Sequence, residues 1–265
     1  MKRSFPTEFV YQVFSLLITI IVVHAIYVAV IRPDARAFLE QEAQAIEADP
    51  TYVPERSFSV VIKDYEQEAC FILMFWAFAI LIYKALVTYR QRRLLEHDLI
   101  LLPEEQRILP QDTRELSRRI EALPSAAQSL LLPRTLTVAL HRFAATGNIQ
   151  DVSTSVREIS ESESERLESE LSIIRYIAWA IPSIGFIGTV RGIGDALSQA
   201  HNAVQGDITG VTQSLGVAFN STFIALVISI VLMFFIYQLQ QMQERLVLDT
   251  EYYCDENLIR HLQKP

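Results

Sequence analysis

Apolar residues in this chain are concentrated in four long runs that are separated by polar segments. The runs cover Phe9 to Ile31, Ala69 to Val87, a stretch that begins near Ile173, and Val211 to Tyr237. A helix needs about 20 residues to cross the hydrocarbon core of a bilayer, so each run is long enough to do so. The pattern predicts an all-α membrane protein with four transmembrane helices.

The third run is the least regular of the four. It is bounded by Arg175 and Arg191, and residues 181–197 read IPSIGFIGTVRGIGDAL, with one proline and four glycines. Long arginine side chains can extend to the polar interface, so a short apolar core still fits a bilayer. Glycine and proline are poor helix formers in water, which indicates that they serve helix packing here.

The runs define eight predicted segments. These are residues 1–31 with the first span, the periplasmic loop 32–68, the second span 69–88, a cytoplasmic helical region 89–170, the third span 171–202, a short periplasmic loop 203–210, the fourth span 211–238, and a C-terminal cytoplasmic helix 239–265. Basic residues flank the ends assigned to the cytoplasm, at Lys2, Arg3, Lys84, Arg90, Arg92 and Arg93. Cytoplasmic flanks carry an excess of Lys and Arg, so both termini are predicted to be inside.

The segments outside the membrane are predicted to be long helices. Residues 89–170 are amphipathic and are broken by prolines and by Gly147-Asn148, and their acidic last part continues without a breaker into the third span. After the fourth span, a stripe of Leu239, Met242, Leu246 and Tyr253 continues the helical pattern. We therefore expect cytoplasmic helical extensions of the third and fourth spans.

Composition excludes several function classes. The net charge of −8 and mean hydropathy of +0.23 give no basic footprint for nucleic acid. Cys70 and Cys254 lie far apart, with no metal-binding spacing, and the sequence contains no hydrolase, metalloprotease, P-loop or dinucleotide fingerprint. We predict that the protein is not an enzyme and needs no cofactor or metal.

Small residues form one face on each of the last two spans. On the third span the face contains Ala178, Pro182, Gly185, Thr189, Gly192 and Ala196, and on the fourth it contains Ser214, Ala218, Ser221 or Thr222, Ala225 and Ser229. Such faces allow close helix packing in lipid. They also suit the wall of a narrow conduit, and the sequence alone leaves both interpretations open.

Two threonines stand out on these faces. Thr189 and Thr222 lie nearly the same number of residues before and after Gly206, so an antiparallel hairpin would place them at one depth. Two hydroxyls at one level can each donate and accept a hydrogen bond, and so can bridge water or a carboxylate. Each could instead bond to its own helix backbone.

None of the four apolar runs carries a carboxylate at its centre. His24 is the ionisable side chain that lies well inside a run, and Asp195 lies toward the outer end of the third span. Ion pathways in membranes depend on titratable groups at depth. If this chain conducts ions, we expect a partner protein to supply the carboxylate, whereas His24 is expected to bond a neighbouring helix.

The third span resembles a family signature. PSIGFIGTVRGI, from Pro182 to Ile193, is similar to the P-x-x-G-x-x-G-T-V-x-G-I pattern of the MotA/TolQ/ExbB proton channel family. AFNSTFIAL, from Ala218 to Leu226, resembles the last helix of that family. The resemblance covers residues 170–240 well, the cytoplasmic region in pattern only, and the first two spans in topology only.

The resemblance implies an assembly and a mechanism. Members form a homopentamer around a dimer of single-span partners of the ExbD, TolR or MotB type, and the partner helix brings an aspartate into the pore. Protonation and release of that aspartate turn one ring against the other. The two pore threonines of the family correspond to Thr189 and Thr222.

The sequence departs from the family in three places. Val217 stands where the ExbB/TolQ branch has a glutamate, four spans with the N-terminus inside resemble MotA rather than ExbB, and Arg191 stands where ExbB has a bulkier uncharged residue. An unpaired guanidinium would repel incoming cations. We expect Asp195, one turn further on, to pair with it.

We therefore predict a wall-forming subunit of a proton or sodium channel in a motor of the bacterial inner membrane. Contacts with the ion path or the partner carboxylate are predicted for Thr189, Thr222, Ser221 and Asn220. Packing around the partner is predicted for Pro182, Gly185, Gly188, Gly192, Ala218 and Ala225. The alternative is a non-conducting membrane scaffold or sensor that recruits cytoplasmic partners.

Overall fold

The computed structural model describes residues 7–48, 57–96, 99–100 and 107–263. Within these ranges the chain is helical and forms no β-strand; Ile108 and Leu262 make an isolated parallel bridge. The helices are α1 Thr7–Ile26, α2 Arg32–Ala48, α3 Phe58–Ile62, α4 Tyr65–Leu95, α5 Thr113–Glu121, α6 Ser125–Gln128, α7 Leu131–Thr146, α8 Ile149–Glu170, α9 Ser172–Ser198, α10 Ala200–Val204 and α11 Thr209–Asn257. A π-helix covers Tyr27–Ile31 and a 3₁₀-helix covers Ile259–His261.

In the described residues, four helical stretches are long and apolar enough to cross a membrane, which agrees with the predicted number of spans. They lie within Glu8–Ala48, Tyr65–Leu95, Ile149–Ser198 and Thr209–His261. Each stretch extends beyond its apolar run, because polar residues continue the helix on at least one side. The protein is therefore a multi-pass, all-α membrane protein.

The first stretch continues past the end of its apolar run at Ile31. The Arg32 backbone N–H donates to the Tyr27 carbonyl, five residues back, so the turn before Pro33 is widened into a π-helix. A proline has no N–H and its ring clashes with the preceding turn, and a wider turn relieves both problems. In its described residues, the predicted segment 32–68 contains α2, α3 and, from Tyr65, the first turn of α4.

The chain folds into two compact units, each built from segments that are distant in sequence. The first unit contains residues 1–81 and 173–236, and the second contains residues 82–172 and 237–265. In the first unit, α1 and α4 are joined by side chains that bond the partner helix backbone. Tyr11 donates its hydroxyl to Ala79 O at 3.0 Å, and the Trp76 indole donates to Gln12 O at 2.9 Å.

The connection between α9 and α11 is a short helical turn. α10 follows shortly after Ser198, and Gly206 then adopts a φ of 100°, which L side chains rarely tolerate. The Asp207 carboxylate accepts a hydrogen bond from the Thr209 backbone N–H at 3.0 Å, at the first residue of α11, and Thr209 bonds it through its side chain as well. These hydrogen bonds from Thr209 hold the pKa of Asp207 below its ordinary value. The hairpin that the sequence predicted is formed.

The second unit has a core of large apolar side chains. Leu136, Leu140, Phe143 and Val152 have no measurable exposure, and Tyr253 from the end of α11 is buried beside them. Gly147 adopts a φ of 60° and ends α7, and the Asn148 side chain caps α8 by accepting from the Gln150 backbone N–H. The predicted break at Gly147-Asn148 is confirmed.

Candidate functional site

The glycines of α9 allow α11 to approach closely within the first unit. A Cβ on Gly192 would lie 2.7 Å from the Ser214 carbonyl oxygen and 2.8 Å from the Ala218 Cβ. A Cβ on Gly188 would lie 2.5 Å from the Ser221 Cβ, and one on Gly185 would collide with Ala225. Real side chains cannot occupy these positions without moving the helices apart. The small faces of α9 and α11 therefore pack against each other, which agrees with the interpretation of these faces as close helix packing.

Pro182 contributes a different contact to the same seam. A proline in a helix has no N–H, so the carbonyl of the residue four positions earlier, Ala178, loses its helical donor. The Ser229 hydroxyl of α11 donates to this carbonyl at 2.9 Å. In a membrane a freed backbone group must be satisfied internally. The Ser229 hydroxyl and the Ala178 carbonyl that Pro182 frees thus form a polar link between the two spans.

Thr189 and Thr222 meet at the centre of this seam. Their hydroxyl oxygens are within hydrogen-bond contact of each other, so the depth match predicted from the sequence is confirmed. The Thr222 hydroxyl lies 3.1 Å from Gly185 O, and the Thr189 hydroxyl lies 3.1 Å from Ala218 O. Both side chains are half-buried. Each hydroxyl can donate to a carbonyl of the other helix and still offer lone pairs to a further donor.

The two weaker site candidates lie apart from the threonine pair. Ser221 is fully buried, and its hydroxyl donates to Val217 O at 2.8 Å beside Gly188. Asn220 lines a cavity of about 380 Å³ together with Arg191 and Asp195. These neighbouring residues of α11 thus face different surroundings. Their contact with an ion path stays a prediction.

The residues predicted to pack around a partner make contacts inside the chain. Gly185, Gly188 and Gly192 receive α11, and Ala218 and Ala225 are fully buried on the opposite face of the seam. Pro182 frees the carbonyl that Ser229 binds. Packing of the same residues against a partner helix stays a prediction.

The pairing expected between Arg191 and Asp195 was wrong. The Arg191 guanidinium binds the carboxylate of Glu66 at 2.8 Å, and Glu66 comes from the first turn of α4. Residues four apart on one helix can meet, but Asp195 is exposed while the Glu66 side chain is 12% exposed and directed at α9. Arg191 therefore binds the largely buried carboxylate of Glu66 on a neighbouring helix rather than the solvated carboxylate of Asp195 on its own helix.

A second ion pair of α4 reaches the first span. The Glu68 side chain is 8% exposed and contacts both Arg32 and His24, the latter at 2.7 Å between Oε1 and Nδ1. The Arg32 guanidinium also stacks over the Tyr65 ring, 4.3 Å from its centroid. The expectation that His24 bonds a neighbouring helix is confirmed, and a buried charged group is satisfied in this way.

Sequence reasoning missed Glu66 and Glu68. The second span was taken to begin at Ala69, where the apolar run begins, yet α4 begins at Tyr65. A usable signal was present, because acidic side chains in the first turn of a helix complement its dipole. Extending the helix by that turn would have placed both carboxylates on the second span.

No group of three or more potential metal ligands occurs in the parts of the chain that the structure describes. The arrangement instead provides hydroxyls and backbone carbonyls along a tight seam, with ion pairs at its α4 side. Such groups can pass protons or hold water.

Comparison with known proteins gives one match. The sequence model of the MotA/TolQ/ExbB proton channel family matches residues 128–252, which include α7 to α10 and most of α11. The first two spans lie outside the matched region. No curated protein and no solved structure matches the chain.

Proposed function

We propose that this chain forms the wall of a proton or sodium channel in a rotary motor. The proposal is supported by the match of residues 128–252 to the model of the MotA/TolQ/ExbB proton channel family. The ion-motive force drives such a motor, and ion flow is converted into torque on a partner. The observation that carries the proposal is the contact between the Thr189 and Thr222 hydroxyls at the seam of α9 and α11.

The hydroxyl pair suits an exchangeable proton ligand. Each threonine is bonded to a backbone carbonyl of the opposite helix, so the oxygens are held in place while the hydroxyl protons can rotate. A hydroxyl that rotates its single proton away from the carbonyl can donate it to a carboxylate that approaches the seam. A protonated carboxylic acid can donate to the lone pairs instead. The pair thus accommodates both protonation states.

A partner must supply the carboxylate in this proposal. Residues 173–190 and 211–237 contain no Asp or Glu. Charged groups inside a membrane mark ion pathways. These two stretches provide hydroxyls to the seam but no carboxylate. We therefore propose a single-span partner of the ExbD, TolR or MotB type with a membrane aspartate, at the centre of a homopentamer of this chain.

The proposed topology follows from the basic residues that flank the spans. With both termini in the cytoplasm of a bacterium, the second unit and the end of α11 lie inside, and α10 lies at the periplasmic surface of the inner membrane. The C-terminal end of α9, with Arg191 and Asp195, then faces the periplasm.

Substitution of the threonines tests the proposal. Thr189→Val and Thr222→Val keep the size of each side chain and remove its hydroxyl, so we expect ion-driven uptake by membrane vesicles to be abolished while the oligomer persists on native gels. Thr189→Ser restores a hydroxyl and should retain uptake. Thr212→Val, at an exposed position of α11 away from the pair, is the matched control. Uptake equal to that of the unmodified protein in both valine variants would falsify the proposal.

A second candidate is a non-conducting scaffold or sensor. One observation favours it: the small residues of α9 and α11 are used for packing within the chain, and both threonine hydroxyls already have carbonyl partners. In that case the second unit would recruit a soluble protein. The valine variants would then leave the recruited protein and its amount unchanged.

A further inference from the structure

Arg191 occupies an electrostatically sensitive position in the first unit. It follows Thr189 by two residues on α9 and lines the cavity of about 380 Å³ that also contains Asn220, two residues before Thr222 on α11. Its side chain is 43% exposed, so the guanidinium borders open space rather than the packed seam. An unbalanced positive charge here would oppose the approach of any cation to the threonine pair.

Apart from Arg191, the charged side chains that line this cavity are one ion pair and two carboxylates. Lys63 binds Asp64 at 2.9 Å, so the second cation of the cavity lining is balanced by its neighbour. Glu42 and Asp195 add two further carboxylates to the lining. The lining is therefore net negative even with Arg191 unpaired, and cancelling the Arg191 charge changes the field locally, two residues after Thr189 on α9.

Glu66 is built into the fold to cancel that charge. Its carboxylate lies 2.8 Å from the Arg191 guanidinium, and its side chain is 12% exposed, which fixes the position of the carboxylate. Its Cγ lies 3.2 Å from the point that a Cβ on Gly188 would occupy, so the glycine of α9 leaves room for the Glu66 side chain. The pair joins α4, which lies outside the matched family region, to the signature helix.

We propose that Glu66 is a positioning residue for ion access: it neutralises Arg191 and so removes a local positive charge from the path of cations between the periplasmic cavity and the pair Thr189 and Thr222. This inference rests on the proposed channel function. Removing Glu66 leaves a guanidinium of full charge beside a low-dielectric wall, whereas removing Arg191 leaves an additional carboxylate. The two single substitutions should therefore have unequal effects.

A merely structural link between α4 and α9 makes a different prediction. If the pair only joined the helices, loss of Arg191 would leave the largely buried Glu66 carboxylate without a partner and would be at least as damaging as loss of Glu66. Ionic strength separates the two roles further, since salt screens the repulsion of mobile ions by a partly exposed charge but does not restore a lost contact.

The test compares Glu66→Gln, Arg191→Gln and the double variant in right-side-out vesicles from cells that contain the complete complex. Ion uptake driven by a membrane potential is recorded with a pH-sensitive or sodium-sensitive dye. We expect Glu66→Gln to lower uptake about tenfold at low salt, because it leaves an uncompensated positive charge close to the threonine pair. Arg191→Gln and the double variant should keep uptake close to that of the unmodified protein, and added salt should shrink the Glu66→Gln defect.

Equal losses in both single variants, or a double variant no better than Glu66→Gln, would overturn the inference. Glu66→Asp, which keeps the charge, should stay close to the unmodified protein, and native gels report assembly of every variant. If Glu66→Gln does not assemble, uptake by Arg191→Gln decides the test. Uptake close to that of the unmodified protein supports the inference, and a loss of uptake contradicts it. Uptake by the unmodified complex that is no greater than in Thr189→Val overturns the channel function and this inference together, whereas normal uptake in Glu66→Gln overturns only the inference.

Discussion

The seam between α9 and α11 and the core of the second unit are held together in opposite ways. The seam is made of glycine, alanine, serine and threonine, with hydroxyls bonded to carbonyls of the opposite helix. The core of the second unit is made of Leu, Ile, Val and Phe side chains that are removed from solvent. One chain therefore uses close backbone approach in one region and bulk apolar burial in the other.

The proposed topology, which places the seam in lipid and the second unit in water, accounts for this difference. Between helices in lipid, association gains little from hiding apolar surface, so contact distance and hydrogen bonds decide the packing. In water, burial of large apolar side chains is the main stabilising contribution. The seam should consequently be sensitive to added volume, and the core of the second unit to removed volume.

The largest effect on stability is expected from Phe143→Ala in the second unit. Phe143 is fully buried on α7, and truncation of a buried phenylalanine costs about 3–5 kcal/mol through lost burial and the cavity left behind. Hydrogen exchange of the full chain in detergent should show faster exchange across α5, α7 and α8. Val138→Ala, at a position of α7 that is 38% exposed, is the control and should change exchange little. Similar protection in the two variants would contradict the assignment of this core.

A smaller effect is expected when volume is added to the seam. In Gly192→Ala the new methyl group would meet the Ser214 carbonyl and Ala218, and overpacking of this kind costs about 1–3 kcal/mol. The detergent-solubilised protein should unfold at a lower temperature in a scan of intrinsic fluorescence.

The neighbouring glycine supplies the control for that substitution. A Cβ on Gly194 would meet nothing within 4 Å, so Gly194→Ala removes a flexible residue from the same helix without a clash. We expect it to keep or raise the unfolding temperature, because alanine favours helix over glycine. Equal losses at both positions would show that helix propensity, rather than the seam, sets the response.

The smallest change concerns the reactivity of a thiol in the second unit. Cys254 is fully buried, and burial raises the pKa of its thiol to about 12. Only the thiolate attacks a maleimide, so near neutral pH the folded protein should be modified at Cys254 far more slowly than after denaturation. The reactive control is Tyr252→Cys in a chain that also carries Cys70→Ala and Cys254→Ala. Tyr252 is 66% exposed, so a thiol at this position is open to the reagent. Rapid modification of native Cys254 would indicate that this core opens readily.

Much of the first unit could be predicted because its determinants are local. Apolar runs reveal spans by length alone, and the number of residues around Gly206 fixes the register of a hairpin. The contact between Thr189 and Thr222 follows from these two facts. Breaks such as Gly147-Asn148 are visible as well, since the left-handed turn there demands glycine.

The remaining features depend on contacts that one sequence does not encode locally. The Arg191 partner was sought one helical turn away, but Glu66 lies 125 residues earlier in the chain. The turn of helix before Ala69 was overlooked because the apolar run, not the capping acids, set the predicted boundary. The continuation of the first span into α2 was hidden by Pro33, which a widened turn accommodates. Predicting which side chains of two helices bind each other requires the positions of both helices.

The most direct test of the channel account is to identify what accompanies the chain in its native membrane. The tagged protein is extracted in mild detergent, and the co-purifying proteins are identified by mass spectrometry, with extracts of the Thr212→Val protein as a matched sample. We predict a single-span protein with an aspartate in its membrane helix, held by an oligomer of this chain. Recovery of soluble proteins alone, or of no partner, would leave the hydroxyl pair without a carboxylate and would contradict the account.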